Sequence, residues 1–180
     1  SVDLVVVVKD RFNNLASSSV VRFTRVGGTG GFNDTSRTTS DTLITTNGQG
    51  QASVRLFTST VPVSNIIKAK LQSTANDSVL FTVKTEPRAI SSLVMTVGAN
   101  WVAGVAQAVT VNAYDQFGNL TTNAVNNIQL TPVASPSLTF TPASGLLPLS
   151  GGVASFTARD TSAKSFMQIQ ATASGIGTQT

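Results

Sequence analysis

The residues of this chain that could carry chemistry are serines near lysines, a thin scatter of carboxylates, one glycine run and one tryptophan. A serine nucleophile needs a base within reach. The chain has no histidine, which removes the commonest general base, metal ligand and triad partner together. Serine–lysine pairs remain, and Ser64 with Lys68 and Ser162 with Lys164 are close in sequence only. Serine is so frequent here that neither pair stands out from chance. Glycoside hydrolysis would need two paired carboxylates, and calcium would need six to eight oxygens with several acids among them. The eight acidic residues are spread singly along the chain, so neither constellation forms. Gly27-Gly28-Thr29-Gly30-Gly31 lacks the Lys-Ser/Thr of a phosphate loop and reads as a flexible connection with Asn33–Ser40. Cysteine is absent, which excludes a disulfide scaffold, a thiolate metal site and a cysteine nucleophile. The expectation is a protein that is not an enzyme and uses no cofactor and no metal.

A few side chains have a second reading. Lys9, Lys68, Lys70 or Lys84 could supply the amine of a Lys–Asn cross-link, but that chemistry needs a buried acid that the sequence does not identify. Asn33, Asn76 and Asn119 each begin an N-glycosylation triplet, of a kind that a Thr/Ser/Asn-rich chain also produces by chance. Trp101, the single tryptophan, lies in Gly98–Gly104. It is either a ligand contact for a glycan or a plug at the end of a core, and the large apolar area of a tryptophan favours the plug.

The elements that must position these residues are strands. Val, Ile, Leu, Ala, Ser, Thr and Asn dominate, which is strand and turn chemistry. Charged residues are only 11% of the chain, too few for the ion pairs that support surface helices. No stretch reaches the roughly 18 apolar residues of a membrane-spanning helix, so no membrane insertion is expected. The net charge is +4 and all of it falls in the first half. The arginines there (Arg11, Arg22, Arg25, Arg37, Arg55) are scattered without interleaved aromatics, so solvated strand faces are expected and no nucleic acid.

An internal repeat organises the chain. Asp10-Arg-Phe12-Asn-Asn14-Leu15 matches Asp115-Gln-Phe117-Gly118-Asn119-Leu120 at an offset of 105. Each copy ends an alternating run: Leu4, Val6 and Val8 point one way, as do Val109, Val111 and Ala113. Gly50-Gln-Ala52-Ser53-Val54 then matches Gly152-Val-Ala154-Ser155-Phe156 at 102, and Ile67, Ala69 and Leu71 match Met167, Ile169 and Ala171 more loosely. Three matches in one order mean repeats with small loop insertions. Pro87 interrupts the pattern, so two domains are expected, 1–87 and 88–180. Strands are predicted near 2–9, 19–25, 42–46, 51–58, 65–72 and 78–84. The second set falls near 90–97, 106–114, 126–132, 137–141, 152–159 and 166–173. Asn47-Gly48 signals a tight turn. Short strands at this spacing predict two all-β sandwiches of immunoglobulin size.

The strand that ends in Asp-x-Phe-Gly/Asn-Asn, the Gly-x-Ala-Ser strand and the Ile-x-Ala-x-Leu strand resemble the bacterial immunoglobulin-like (Big) domains of the invasin and intimin type. The resemblance covers both units. An Asp-x-x-Gly-Asn turn also occurs in filamin-like and other sandwich repeats. Asn13 stands where the family has glycine; asparagine tolerates positive φ, so the turn survives. The resemblance implies rod-like tandem arrays on a bacterial outer surface, serving adhesion or spacing, and no catalysis. As physics, Asp10 and Asp115 can accept N–H bonds from two residues on, and Phe12 and Phe117 are expected to fold over the end of the core. With Asn14, Gly118 and Asn119 these form the expected structural turn motif.

The two units are cut out of phase. The second opens with a strand, 90–97, that the first lacks. The first closes with a strand, 78–84, whose counterpart in the second would fall at the chain's end. Val5 and Val7 take outward positions where the second unit has Thr110 and Asn112, so they are either ordinary edge residues or an interface. The chain does not start with Met and reads as an excised part of an array; the alternative is subunits that exchange strands end to end. The expected function is structural: a stalk, fibre or surface-layer segment of an extracellular prokaryotic protein, associating with itself or with neighbouring repeats. The competing expectation is an adhesin whose end loops bind a host receptor or glycan.

Overall fold

In the computed structural model, residues 1–74, 77–134, 136–162 and 167–173 are described. The chain divides into two compact units, Ser1–Glu86 and Pro87–Thr180. The boundary falls one residue before the expected one, because Pro87 and Arg88 bond to the second unit. Each unit is an immunoglobulin-like sandwich of two antiparallel sheets, and no helix occurs among the described residues.

The first unit holds β1 (Val2–Val7), β2 (Val20–Gly27), β3 (Gly31–Phe32), β4 (Asp41–Thr45), β5 (Gln51–Phe57), β6 (Ser64–Leu71) and β7 (Ser78–Lys84). Its sheets run β1-β5-β3 and β4-β2-β6-β7. The second holds β8 (Ile90–Val97), β9 (Gln107–Asp115), β10 (Asn127–Pro132), β11 (Leu138–Thr141), β12 (Leu146–Pro148), β13 (Val153–Asp160) and β14 (Ile169–Ala173), in sheets β11-β13-β9-β8 and β12-β10-β14. The long predicted strands all appear, with ends moved by at most three residues. Strands β3 and β12 were not legible, because two or three residues are too few to show an alternation. They are also the missing counterparts: β3 matches β11, and β12 matches β4.

The repeat is accurate at the level of register. Leu4 faces Val54 and Val6 faces Ala52 across β1 and β5; Val109 faces Phe156 and Val111 faces Ala154 across β9 and β13. Both pairs sit at the offsets read from the sequence. The inward residues build two separate cores. Leu4, Val21, Phe23, Phe32, Ala52, Val54, Leu56, Ile67 and Ala69 fill the first, with Phe23 and Phe32 edge to face at 6.5 Å. Val109, Val111, Ile128, Leu130 and Phe156 centre the second.

The glycine run is not a free loop. Its last residue, Gly31, enters β3, and Asn65 of β6, fully buried, accepts from the N–H groups of Thr29 and Gly30 at 2.9 and 3.0 Å. The Asn65 amide donates onward to Thr85 Oγ1 at 3.2 Å and Val83 O at 3.4 Å, and the Arg25 guanidinium donates to Gly30 O. Gly28 lies at φ +85°, where a Cβ would come within 2.5 Å of Asn65 Oδ1, so only glycine lets the loop pass this close. The Asn33–Ser40 connection is likewise fastened. Asp34 accepts from the N–H and hydroxyl groups of Ser36 and Thr38, and Arg37 donates to Thr58 O at 2.7 Å.

Asn65→Ala would leave the Thr29 and Gly30 amides without their acceptor, at a cost of roughly 2–3 kcal/mol. The far-UV circular dichroism of the first unit should then be lost at lower denaturant. Trp101, in the second unit, should keep its fluorescence midpoint.

Candidate functional site

The Asp-x-Phe turn occurs once per unit, shortly after β1 and at the end of β9, because a strand leaving the sheet there exposes N–H groups that need acceptors. Asp10 Oδ1 accepts from Phe12 N at 2.8 Å and Asn14 N at 2.9 Å, and the Asn14 amide donates to Oδ2 at 3.0 Å. Asp115 repeats this: Oδ1 accepts from Phe117 N and Asn119 N, both at 2.9 Å, and the Asn119 amide donates to Oδ2 at 3.0 Å. Asn13 and Gly118 hold matching left-handed positions at φ 70° and 78°, so asparagine substitutes for glycine here.

The phenylalanines do not fold over the core. Phe12 is 68% exposed and Phe117 45% exposed, because the residue two past the aspartate must turn its N–H toward the carboxylate, which aims its side chain outward. Each ring instead lies beneath a guanidinium, Arg11 at 4.5 Å from the Phe12 centroid and Arg88 at 5.4 Å from that of Phe117.

One bond separates the two turns. Asp115 Oδ2 also accepts from the Arg88 N–H at 3.1 Å, and Asn123 donates to Pro87 O at 3.3 Å. The chain entering the second unit is thereby tied to the turn before it becomes β8, and Asp115 is buried. Asp10 is exposed and receives no such bond among the described residues. Burial of Asp115 works to raise its pKa, but bonds from the Asn119 side chain and amide, the Arg88 amide and the Phe117 amide together outweigh it and hold the carboxyl at about 2. Asp10 is also held below its ordinary value, first by the Asn14 side chain and then by the Asn14 amide.

The neighbouring edges differ in the same way. In the second unit β8 covers the outer edge of β9, with Leu93 opposite Ala113 and Met95 opposite Val111. In the first unit β1 pairs with β5 on one side, and its other edge carries no strand among the described residues. Val5 and Val7 are 47% and 49% exposed, whereas Thr110 and Asn112, between two strands, are partly buried.

The other sequence candidates are placed apart. Ser64 and Lys68 lie four residues apart on the extended β6, about 13 Å by strand rise, too far for a base to serve a nucleophile. Lys164 and Asn76 lie outside the described residues, as does the stretch that would hold a last strand of the second unit. Asn33 accepts from Arg55 N at 3.1 Å, and Asn119 uses its amide in the turn, so a glycan there would break it. Trp101 is half-buried against the second core, its indole N–H donating to Gly98 O at 2.9 Å. All five arginines of the first unit are engaged within it: Arg22 with Asp41 and Arg55 with Asp3, each at 2.7 Å, Arg25 and Arg37 with backbone carbonyls, and Arg11 with Phe12. No group of acids able to hold a metal occurs among the described residues.

No family model and no curated protein matches the chain. Solved structures do. The Escherichia coli adhesin FdeC aligns over 97% of this chain and 54% of its own, with 20% identity and a TM-score of 0.66. Invasin, a bacterial integrin-binding protein, aligns over 97% of this chain and 33% of its own, with 12% identity and a TM-score of 0.44. A β-glucuronidase of Parabacteroides merdae aligns over 91% and 20%, with 10% identity and a TM-score of 0.44. The chain therefore spans about half the adhesin structure and a third of invasin, and it shares with the adhesin an immunoglobulin-like fold.

The depressed pKa of Asp115 has a stability consequence. The bonds it accepts favour the ionised form, so their contribution is complete above the unfolded value of about 4 and is lost as pH falls through the folded value of about 2. Denaturation midpoints followed by Trp101 fluorescence should drop across that window. In Asp115→Ala the overall midpoint should be lower and the drop shallower.

Proposed function

We propose that the chain is a structural segment of an extracellular prokaryotic surface protein, a stretch of stalk or fibre whose units bear load and hold something away from the cell. The observation that carries this reading is the repetition itself: two sandwiches with the same register between the same strand pairs. Repetition of a scaffold to that accuracy is how an array gains length. The second support is that many of the charged side chains tie the chain to itself, by ion pairs and turn bonds. No catalysis is part of the reading.

A second reading, adhesion through loops at a sandwich end, is favoured by the likeness to the adhesin FdeC. Trp101 would then be its natural contact.

Stretching single molecules from both termini distinguishes the two. A load-bearing segment gives two discrete unfolding steps, each releasing roughly 300 Å of chain for a unit of this size. Smooth extension at low force would overturn the structural reading. Saturable binding to cell-surface glycans or proteins that Trp101→Ala abolishes would establish the adhesive one.

A further inference from the structure

Folding gathers cations that the sequence scatters. We infer that the outer face of the β4-β2-β6-β7 sheet, centred on Lys68 and Lys70, is a binding surface for an acidic polysaccharide, a chain of sugars bearing carboxylate or sulfate groups. The inference goes beyond the stalk reading and does not depend on it, since such a face suits a strut or an adhesin alike.

The face follows from strand phase. Val21 and Phe23 of β2 and Ile67 and Ala69 of β6 are buried, so Arg22, Thr24, Lys68 and Lys70 point to the other side of the sheet. Register sets them beside one another. Arg22 lies opposite Lys70 and Thr24 opposite Lys68, on strands about 5 Å apart, and the two lysines are about 7 Å apart along β6. Like charges directly opposite in a sheet are destabilising, and Arg22 with Lys70 is such a pair. Only part of the charge is neutralised. Arg22 pairs with Asp41 at 2.7 Å, and Asp41 also accepts from the Thr24 hydroxyl at 2.7 Å. Lys68 and Lys70 make no ion pair or side-chain hydrogen bond among the described residues, and Asp77, beside the Ser78 that faces Lys70, makes no ion pair with them.

The second unit shows that the sandwich does not need these charges. There Gln129 lies opposite Leu146 and Thr172, and Thr131 opposite Gln170. In the first unit Arg22 lies opposite Leu43 and Lys70, and Thr24 opposite Lys68. Leu43 and Thr24 thus have identical counterparts in Leu146 and Thr131. The three cations have neutral ones: Arg22 matches Gln129, Lys68 matches Gln170 and Lys70 matches Thr172. Charges that the scaffold does not require, and that set like against like, point to a ligand. Their surroundings give its class. Ile66 and Leu80, 37% and 63% exposed, flank Lys68 along β6 and across to β7, where Ser78 and Thr82 add hydroxyls. Cations, hydroxyls and exposed C–H groups on one flat face match the anions, hydroxyls and C–H faces of an acidic sugar chain. No aromatic side chain lies on this face among the described residues, so nucleic-acid bases have no platform to stack on. Lysine ammoniums are mobile point charges, which suits a flexible polymer better than a ligand of one fixed geometry.

The test measures binding of the full chain to polygalacturonate, a carboxylated polysaccharide, and to dextran sulfate, with neutral dextran as the blank. Saturable binding to at least one charged polymer is expected, weakening steeply as salt is added, with none to neutral dextran. Which polymer binds distinguishes carboxylate from sulfate. Lys68→Gln combined with Lys70→Thr gives the first unit the face of the second. It should weaken binding at least about tenfold, while the denaturation midpoint of the first unit holds or rises because a like-charge contact is gone. Lys9→Gln combined with Arg11→Gln removes the same charge from the Asp10 turn and should weaken binding less than about threefold. On the unaltered chain, bound polymer should shield the Lys68 and Lys70 amines from acetylation, read by mass spectrometry, and leave Lys9 open. The inference is overturned if neither charged polymer binds, if the two double variants lose affinity equally, or if Lys9 is shielded as strongly as the β6 lysines. Tighter binding to single-stranded DNA or to vesicles of anionic lipid than to either polysaccharide overturns it too, by identifying another partner. Stretching reads the load and these measurements read the face, so either proposal can fail while the other stands.

Discussion

Both units depend on a single contact: the pairing of the aspartate-terminated strand with the Gly-x-Ala-Ser strand. In a two-sheet sandwich a slip of one residue would move every inward side chain of a strand to solvent. The register of β1 on β5 and of β9 on β13 is therefore what makes Leu4, Val54, Val109 and Phe156 core residues at all. Everything else in each unit is arranged around that pair. The opposite sheet packs Val21, Phe23 and Ile67 onto it in one unit and Ile128, Leu130 and Ala171 in the other. Without cysteine to staple it, the sandwich is held by this packing and its ladders.

A sheet of short strands has many ends, and every end leaves backbone N–H groups to satisfy. The chain meets this repeatedly with one device. Asp10, Asp34, Asn47 and Asp115 each accept from the amides two and four residues ahead. Asp34 adds the hydroxyls of Ser36 and Thr38, which together with those amides hold its carboxyl well below the usual range. The scarcity of charge in the sequence acquires a physical meaning from this. Aspartates in this chain are mostly turn formers or strand-to-strand pairing partners, and they are occupied before any ligand arrives.

How much of this could be read in advance follows from element length and from which partner each residue meets. Strands of four residues or more announced themselves by alternation, and the repeat fixed their order. Strands β3 and β12 escaped because two or three residues carry no period. The Gly27–Gly31 run looked free because its anchor, Asn65, lies more than thirty residues downstream. Even so, Asn65 is in phase with Ile67 and Ala69, and a polar residue on the inward phase of a strand is the signal that it has a buried job. The aspartate turn was legible because its bonds are local. The outward aim of Phe12 and Phe117 was not, since it follows from turn geometry that composition does not encode. Burial adds a correction to the third repeat match: Ile67 and Ala69 correspond best to Ile169 and Ala171, all four buried, which brings that match to the offset of the second.

The same turn resolves an ambiguity that alternation alone leaves open. An edge strand shifted by two residues keeps its apolar face on the core, so pattern cannot distinguish that register from the native one. In the second unit the Arg88 amide ends on Asp115 Oδ2 at 3.1 Å. A two-residue shift displaces that amide by roughly 7 Å and leaves a buried carboxylate without one of its donors, a charge-assisted bond of the stronger kind. Asp115 therefore acts as an end stop, selecting one register among those that hydrophobic burial ranks as equal. A chain with so few charged residues has few other ways to do this. Placing the stop where one strand leaves the sheet and the next arrives lets a single carboxylate close its own turn and set its neighbour's position.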